Sequence, residues 1–126
     1  SSNLEQLKQN IDFVNNATDF EFSNDDFDFI EKVRKAFLDR IKIDCTKCNY
    51  CLPCPNGVNI QRNFELYNDV FIYENPIPPR MTYQRFMPDI EKASNCIQCE
   101  ECESKCPQKL EISKLLLSVD EELSKK

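Results

Sequence analysis

Apolar residues recur at helical spacing in several segments of this chain, and in residues 1–16 the opposite face carries Gln, Lys and Asn. Amphipathic spacing of this kind predicts helices, whereas strands need an alternating pattern of useful length, which the sequence does not show. We therefore predict an all-α fold. The five predicted helices are residues 1–16, the stretch from Asn24 to Ile41, the stretch after Asn59 through Phe71, Thr82–Lys92 and Ile112–Leu123.

Cap residues and prolines mark the ends of these helices. Ser2 with Glu5 forms a capping-box pattern, and Ser23 or Asn24 and then Asn59 stand where the second and third helices begin. The prolines within Asn75–Pro79 are expected to end the third helix, and Pro88 to break or kink the fourth, because proline lacks the N–H that a helix interior needs.

Two apolar stripes predict buried helix faces. The first runs along the N-terminal helix, which we expect to fold back on the domain or to pair with a second copy of the chain in a homo-oligomer. The second is expected to form the buried face of the second helix. The stripes are Leu4, Leu7, Ile11 and Val14, and then Phe27, Ile30, Val33, Phe37 and Ile41.

Composition excludes several classes of function. The 126 residues suit one domain, and the net charge of −6 disfavours nucleic acid. The chain has no histidine and one glycine, Gly57, so we expect neither histidine chemistry nor a phosphate-binding loop, and little backbone at positive φ. No apolar run has the length of a membrane span and no signal peptide is visible, so we expect no membrane contact and a cytoplasmic location.

All eight cysteines lie in two short runs, each closed by a proline. Residues 45–55 read C-x₂-C-x₂-C-x₂-C-P and residues 96–107 read C-x₂-C-x₂-C-x₃-C-P, the pattern of bacterial-type ferredoxins. Disulfides and a pair of four-cysteine zinc sites are the alternatives. The third cysteine of each run and the proline after the fourth favour two 4Fe–4S clusters over zinc.

In two-cluster ferredoxins the fourth cysteine of each run ligates the other cluster. Applied here, that rule predicts two crossed ligand sets, which would tie the runs together and hold the clusters close enough for electron transfer. The glutamates within the second run, Glu100, Glu101 and Glu103, should disfavour an added electron there. The sets are Cys45, Cys48, Cys51 and Cys106 for the first cluster, and Cys96, Cys99, Cys102 and Cys54 for the second.

The segments Cys45–Ile60 and Cys96–Ile112 resemble the C-terminal iron–sulfur extension of certain bacterial and archaeal aldo/keto reductases. Ser2–Ile11 resembles the last helical segment of that family's (β/α)₈ barrel. The resemblance implies an α-helical ferredoxin-like domain at residues 23–126, and a remnant of the barrel with a linker at residues 1–22. It implies that NAD(P)H and carbonyl reduction belong to a parent barrel, which needs about 250 residues and is absent from this chain.

An electron-transfer module is therefore the leading functional hypothesis, with the parent barrel and an external electron donor or acceptor protein as its partners. A structural or redox-sensing iron–sulfur domain is the alternative from another class, and a zinc-stapled interaction domain is a third. We expect no catalytic residue in the chain itself, because the sequence offers no general base, nucleotide loop or open metal position.

Overall fold

The computed structural model of the chain describes residues 8–9 and 23–126, and these are helical with no strand among them. None of the helices in this described part is long and apolar enough to cross a lipid bilayer. The α-helices are α1 (Asn24–Arg40), α2 (Ile60–Ile72), α3 (Ile77–Met81), α4 (Glu101–Lys105) and α5 (Ile112–Leu123). A π-helical turn (Thr82–Phe86) and two 3₁₀ turns (Asp89–Glu91 and Ala93–Asn95) join α3 to the second cysteine run.

The chain divides into two compact units, residues 1–36 and residues 37–126. The predicted boundary after residue 22 stays a prediction. The predicted helix at residues 1–16, with its apolar stripe, lies outside the described residues except for Lys8 and Gln9, which are helical and exposed.

Helix α1 begins where its cap predicts but does not bury its apolar face. The Ser23 hydroxyl accepts a hydrogen bond from the Asp26 N–H at 3.3 Å, and an Asp26 carboxylate oxygen accepts one from the Ser23 N–H at 3.0 Å. The prediction of a buried stripe was wrong, since Phe27 and Val33 are 57% and 53% exposed. No residue of this helix is buried, because periodicity marks a face that favours a partner without saying which residues supply one.

The core lies between α2 and α5, as their periodicity predicted. Phe64 of α2 and Leu116 and Val119 of α5 are each at most 1% exposed, and the first residues of both helices, Ile60 and Ile112, are buried equally well. Full burial of an aliphatic or aromatic side chain contributes about 1.5–3 kcal/mol. These few residues therefore anchor the two helices whose N-termini follow the cysteine runs.

The prolines after residue 75 lie beyond the end of α2 and at the start of α3. Pro78 and Pro79 occupy the first turn of α3, where the missing N–H has no intrahelical partner to lose. The predicted fourth helix was therefore misplaced. The observed helical stretch begins at Ile77, passes into the π-helical turn at Thr82 and ends at Phe86. Met87 is extended, as expected for a residue that precedes a proline, here Pro88.

Polar side chains fasten α3 and the π-helical turn to α5. The Tyr83 hydroxyl donates to an Asp120 carboxylate oxygen at 2.6 Å and accepts a hydrogen bond from the Ser94 N–H at 3.3 Å. The Arg80 guanidinium pairs with the Glu122 carboxylate at 2.5 Å with both side chains largely buried, so this end of the unit is held by charge as well as packing.

Candidate metal centre

The two cysteine runs share positive φ at two corresponding positions. In each run the second and fourth residues after the first cysteine have positive φ, at 56° and 70° for Lys47 and Asn49 and at 57° and 61° for Gln98 and Glu100. The expectation of little backbone at positive φ was therefore wrong, because it counted only glycine. Alternation between right- and left-handed residues turns successive N–H groups inward, which makes a concavity suited to anions and to iron–sulfur centres.

The repeat continues beyond the fourth cysteine of each run. The N–H groups of Gly57 and Lys109 donate to the carbonyls of Cys54 and Cys106 at 3.0 and 3.1 Å, and both donors again have positive φ. Three residues later α2 begins in one half and α5 in the other. Each run is thereby joined through the same turn to one of the two core helices.

The structure brings the first predicted ligand set into one cavity. Cys45, Cys48 and Cys51 of the first run and Cys106 of the second line it together. Apolar core residues form its floor: Ile60, Phe64, Leu110 and Ile112. Three sulfurs from a tight loop and a fourth from the other run is the arrangement that the crossed rule requires.

The second predicted set is brought together less completely. Cys102 lies close enough to Cys96 and to Cys51 for their charges to interact, which makes the two runs neighbours in space. Cys54 lines a different cavity together with Leu52 and Gly57. Cys99 is exposed, as is Cys48, which holds the corresponding position in the first run. Both ligand sets therefore stay predictions.

Burial and neighbouring sulfurs disfavour the thiolate form of the inner cysteines. Burial raises the pKa of Cys51 above its ordinary value, and the charges of Cys45, Cys48 and Cys106 raise it further. Burial also raises the pKa of Cys102, to about 11, with the Glu103 carboxylate and Cys96 adding to the shift. A thiolate is the ligand that metals bind, so iron must displace protons at these sites and supply compensating positive charge.

The geometry does not resemble a site for one metal ion. Among residues 23–126 no three Cys, Asp or Glu side chains are arranged so that a single ion could bind them. A four-cysteine zinc site would draw every sulfur to about 2.3 Å from one point. A cubane cluster instead binds each thiolate through a different iron, so its four sulfurs stay further apart. The residues at the first cavity fit a 4Fe–4S cluster, which supplies reversible one-electron chemistry when bound.

Two asparagines on α2, which the sequence reasoning missed, fix the segments that enter the runs. Ahead of the first run, the Asn68 side chain accepts from the N–H groups of Lys42 and Ile43 at 3.1 and 2.9 Å and donates to the Ile43 carbonyl at 2.9 Å. The Cys45 N–H donates to the same carbonyl at 3.0 Å. The sequence carried one indication that Asn68 faces the domain, since it follows the apolar Tyr67 directly and stands three residues before the apolar Phe71.

Asn63 performs the same function ahead of the second run. Its side chain is fully buried, donates to the carbonyls of Asn59 and Glu91 at 2.7 and 2.8 Å, and accepts from the Ala93 N–H at 3.0 Å. The Cys96 N–H in turn donates to the Ala93 carbonyl at 3.0 Å. One helix therefore positions the entry to both runs through side-chain amides.

A comparison with protein families matches residues 44–111 to the 4Fe-4S dicluster domain. The matched segment begins just before the first run, ends just after the second, and covers more than half of the chain. Searches of curated proteins and of solved structures returned no match to the chain. With its eight cysteines in two runs, the chain binds two 4Fe–4S clusters, and it belongs to the 4Fe-4S dicluster domain family.

Proposed function

We propose that this chain is an electron-transfer module that passes single electrons through its two clusters between redox partners. The observation that carries the proposal is the closeness of the runs: Cys106 of the second run lines one cavity with the first three cysteines of the first run. A cluster that only stabilised the fold would not need a second cluster beside it. Two adjacent one-electron centres form a short path across the domain.

In the proposed ligand sets, Cys106 belongs to the first cluster and Cys54 to the second. The shared cavity of Cys45, Cys48, Cys51 and Cys106 supports the first assignment. The second is supported by the repeated backbone, since Cys54 and Cys106 are both followed by a proline and by the same hydrogen-bonded turn. The chain's own residues would hold the clusters, direct N–H groups toward them and limit the access of water.

The partners are proposed to be redox proteins or domains. Resemblance of both cysteine segments to an aldo/keto reductase extension suggests a reductase barrel as one partner, which would bind NAD(P)H and reduce a carbonyl substrate. A second copy, paired through the N-terminal helix at residues 1–16, is a further proposed partner. Co-expression with an aldo/keto reductase barrel would test the first idea: cluster oxidation by that barrel's substrate supports it, and unchanged cluster absorbance refutes it.

Potentiometric titration of anaerobically purified protein, followed by electron paramagnetic resonance, tests the central proposal. We expect two reversible one-electron reductions, with broadened signals in the fully reduced protein because the two paramagnetic centres are neighbours. The Cys106→Ser and Cys54→Ser variants should each perturb a different one of the two reductions. Clusters that cannot be reduced and reoxidised reversibly would favour a structural function and refute the proposal.

A further inference from the structure

A single buried amide lacks a partner at the first site. The Nε2 atom of Gln61 is buried and, among the described residues, has no hydrogen-bond acceptor. Gln61 is the second residue of α2 and lines the cavity that Cys45, Cys48, Cys51 and Cys106 share. A buried N–H group without an acceptor is rare in folded proteins, and it calls for an acceptor within the cavity itself.

The sulfur atoms of a bound cluster are such acceptors. A cluster with four thiolates carries negative charge in its oxidised form and more after reduction, so a donor N–H stabilises the reduced form more than the oxidised form. We propose that the Gln61 side chain donates a hydrogen bond to sulfur of the cluster at the first site and raises its reduction potential. This inference rests on the ligand set proposed above for that site.

The residue of α5 that corresponds to Gln61 already has a hydrogen-bond partner within the protein. Ser113 is the second residue of α5, as Gln61 is of α2, and it is buried. Its N–H and hydroxyl both donate to the Glu103 carboxylate, at 2.8 and 2.5 Å. The Ser113 donors therefore bind a carboxylate, whereas we propose that the Gln61 donor binds cluster sulfur.

Charge differs between the halves in the same direction. The first run contains one charged side chain, Lys47, whereas the second contains Lys105 and three glutamates: Glu100, Glu101 and Glu103. Negative charge beside a cluster disfavours an added electron, and a hydrogen bond to sulfur favours it. The first site is therefore the one that is reduced at the higher potential, and an electron delivered to the second site moves toward the first.

The Gln61→Leu variant tests this on the holo protein, with Gln108→Leu as the matched control. Gln108 lines the same cavity, but it is exposed and can hydrogen-bond to water. In the Gln61 variant we expect the equilibrium constant for the higher-potential reduction to fall about tenfold, which is about 59 mV for one electron. The lower potential, and both potentials of the Gln108 variant, should stay within a factor of two.

Iron and sulfide content of each variant separates failure of this inference from failure of the proposed function. Wild-type protein that lacks reducible clusters would remove the proposed function itself. Fully loaded Gln61→Leu protein with unchanged potentials, or with the lower potential shifted instead, would overturn only the inference. If leucine prevents loading, Gln61→Met keeps the length of the side chain without the donor, and the same drop in the higher potential is expected.

Discussion

Replacement of Asn63 by alanine should weaken the hold of the protein on its clusters. Asn63 is 0% exposed and makes three hydrogen bonds, two of them to the segment that enters the second cysteine run. Alanine removes all three while leaving the apolar core around Phe64 in place. The segment from Glu91 to Ala93 then loses its side-chain hydrogen bonds to the interior of α2.

The magnitude follows from which groups lose their last partner. The Asn59 carbonyl keeps the helical hydrogen bond from the Asn63 N–H at 3.1 Å, and the Glu91 carbonyl keeps the one from the Asn59 N–H at 3.0 Å. Ala93, which is 3% exposed, has no acceptor left for its N–H. An orphaned buried donor costs about 1–3 kcal/mol and each ordinary lost hydrogen bond about 1 kcal/mol. Adding the orphaned donor to the two ordinary lost bonds, we expect a destabilisation of about 3–5 kcal/mol.

The rate of bleaching of the visible cluster absorbance, in a fixed concentration of guanidinium under argon, measures this effect. Because cluster loss is irreversible, the rate reports on the unfolding barrier, and about 1.4 kcal/mol corresponds to a tenfold change. We expect Asn63→Ala to bleach at least tenfold faster than wild type. Asn68→Ala is the control: Asn68 is half-buried and water can replace its bonds, so its effect should be smaller. Bleaching of Asn63→Ala at the wild-type rate would refute the reasoning.

Three further predictions concern stability. Gly57→Ala places a side chain at a φ of 83° with its Cβ 3.0 Å from Ile90 Cγ1, and should cost about 1–2 kcal/mol in denaturation experiments, whereas Lys109→Gly, at the repeated position, should cost nothing. Equal losses of stability for the two variants would contradict the inference that Gly57 and Lys109 occupy the same kind of turn. Burial and the bond to Asp120 raise the pKa of Tyr83 to about 12, so the fold favours its protonated form. That stabilisation is complete below pH 10 and is lost as the pH rises toward 12, by about 2 kcal/mol, and Tyr83→Phe should abolish this pH dependence. If Tyr83→Phe shows the same dependence of stability on pH as wild type, Tyr83 is not its source. Val33→Ser, on the exposed face of α1, should change the free energy of unfolding by less than about 0.5 kcal/mol, and a loss above 1 kcal/mol would show that this face is buried in solution.

The sequence predicted best where periodicity and caps act together. Helix α5 was expected at Ile112–Leu123 and occupies that range, and Asn59 caps α2 by accepting from the Arg62 N–H at 3.2 Å. Both helices bury a clear apolar face, so local preference and tertiary packing agree. The all-α prediction holds for the described residues for the same reason.

The errors arose where conformation depends on distant groups or on the cluster loops. Positive φ at Lys47 and Gln98 was unpredictable from residue type, because neither side chain favours that region and the need for it comes from the loop around the cluster. The short helix α4 inside the second run was missed, since five residues give no periodicity. Long-range bonds such as those of Asn63 are invisible to any local pattern.

The cysteine pattern predicted the chemistry well and the geometry in part. The two runs indicated two 4Fe–4S clusters, and the family match agrees. Cys106 lines a cavity together with cysteines of the first run, as the crossed rule predicts. Cys54 lines a different cavity, which contains no other cysteine among its described lining residues. Gln61 was not noticed, because a glutamine near a helix start is unremarkable until its surroundings are known.

Iron and acid-labile sulfide analysis of anaerobically purified protein, with zinc measured on the same sample, tests the central claim most directly. Two 4Fe–4S clusters predict about eight iron atoms and eight sulfide ions per chain, with no stoichiometric zinc. Zinc at about two atoms per chain without sulfide, or iron without sulfide, would contradict it.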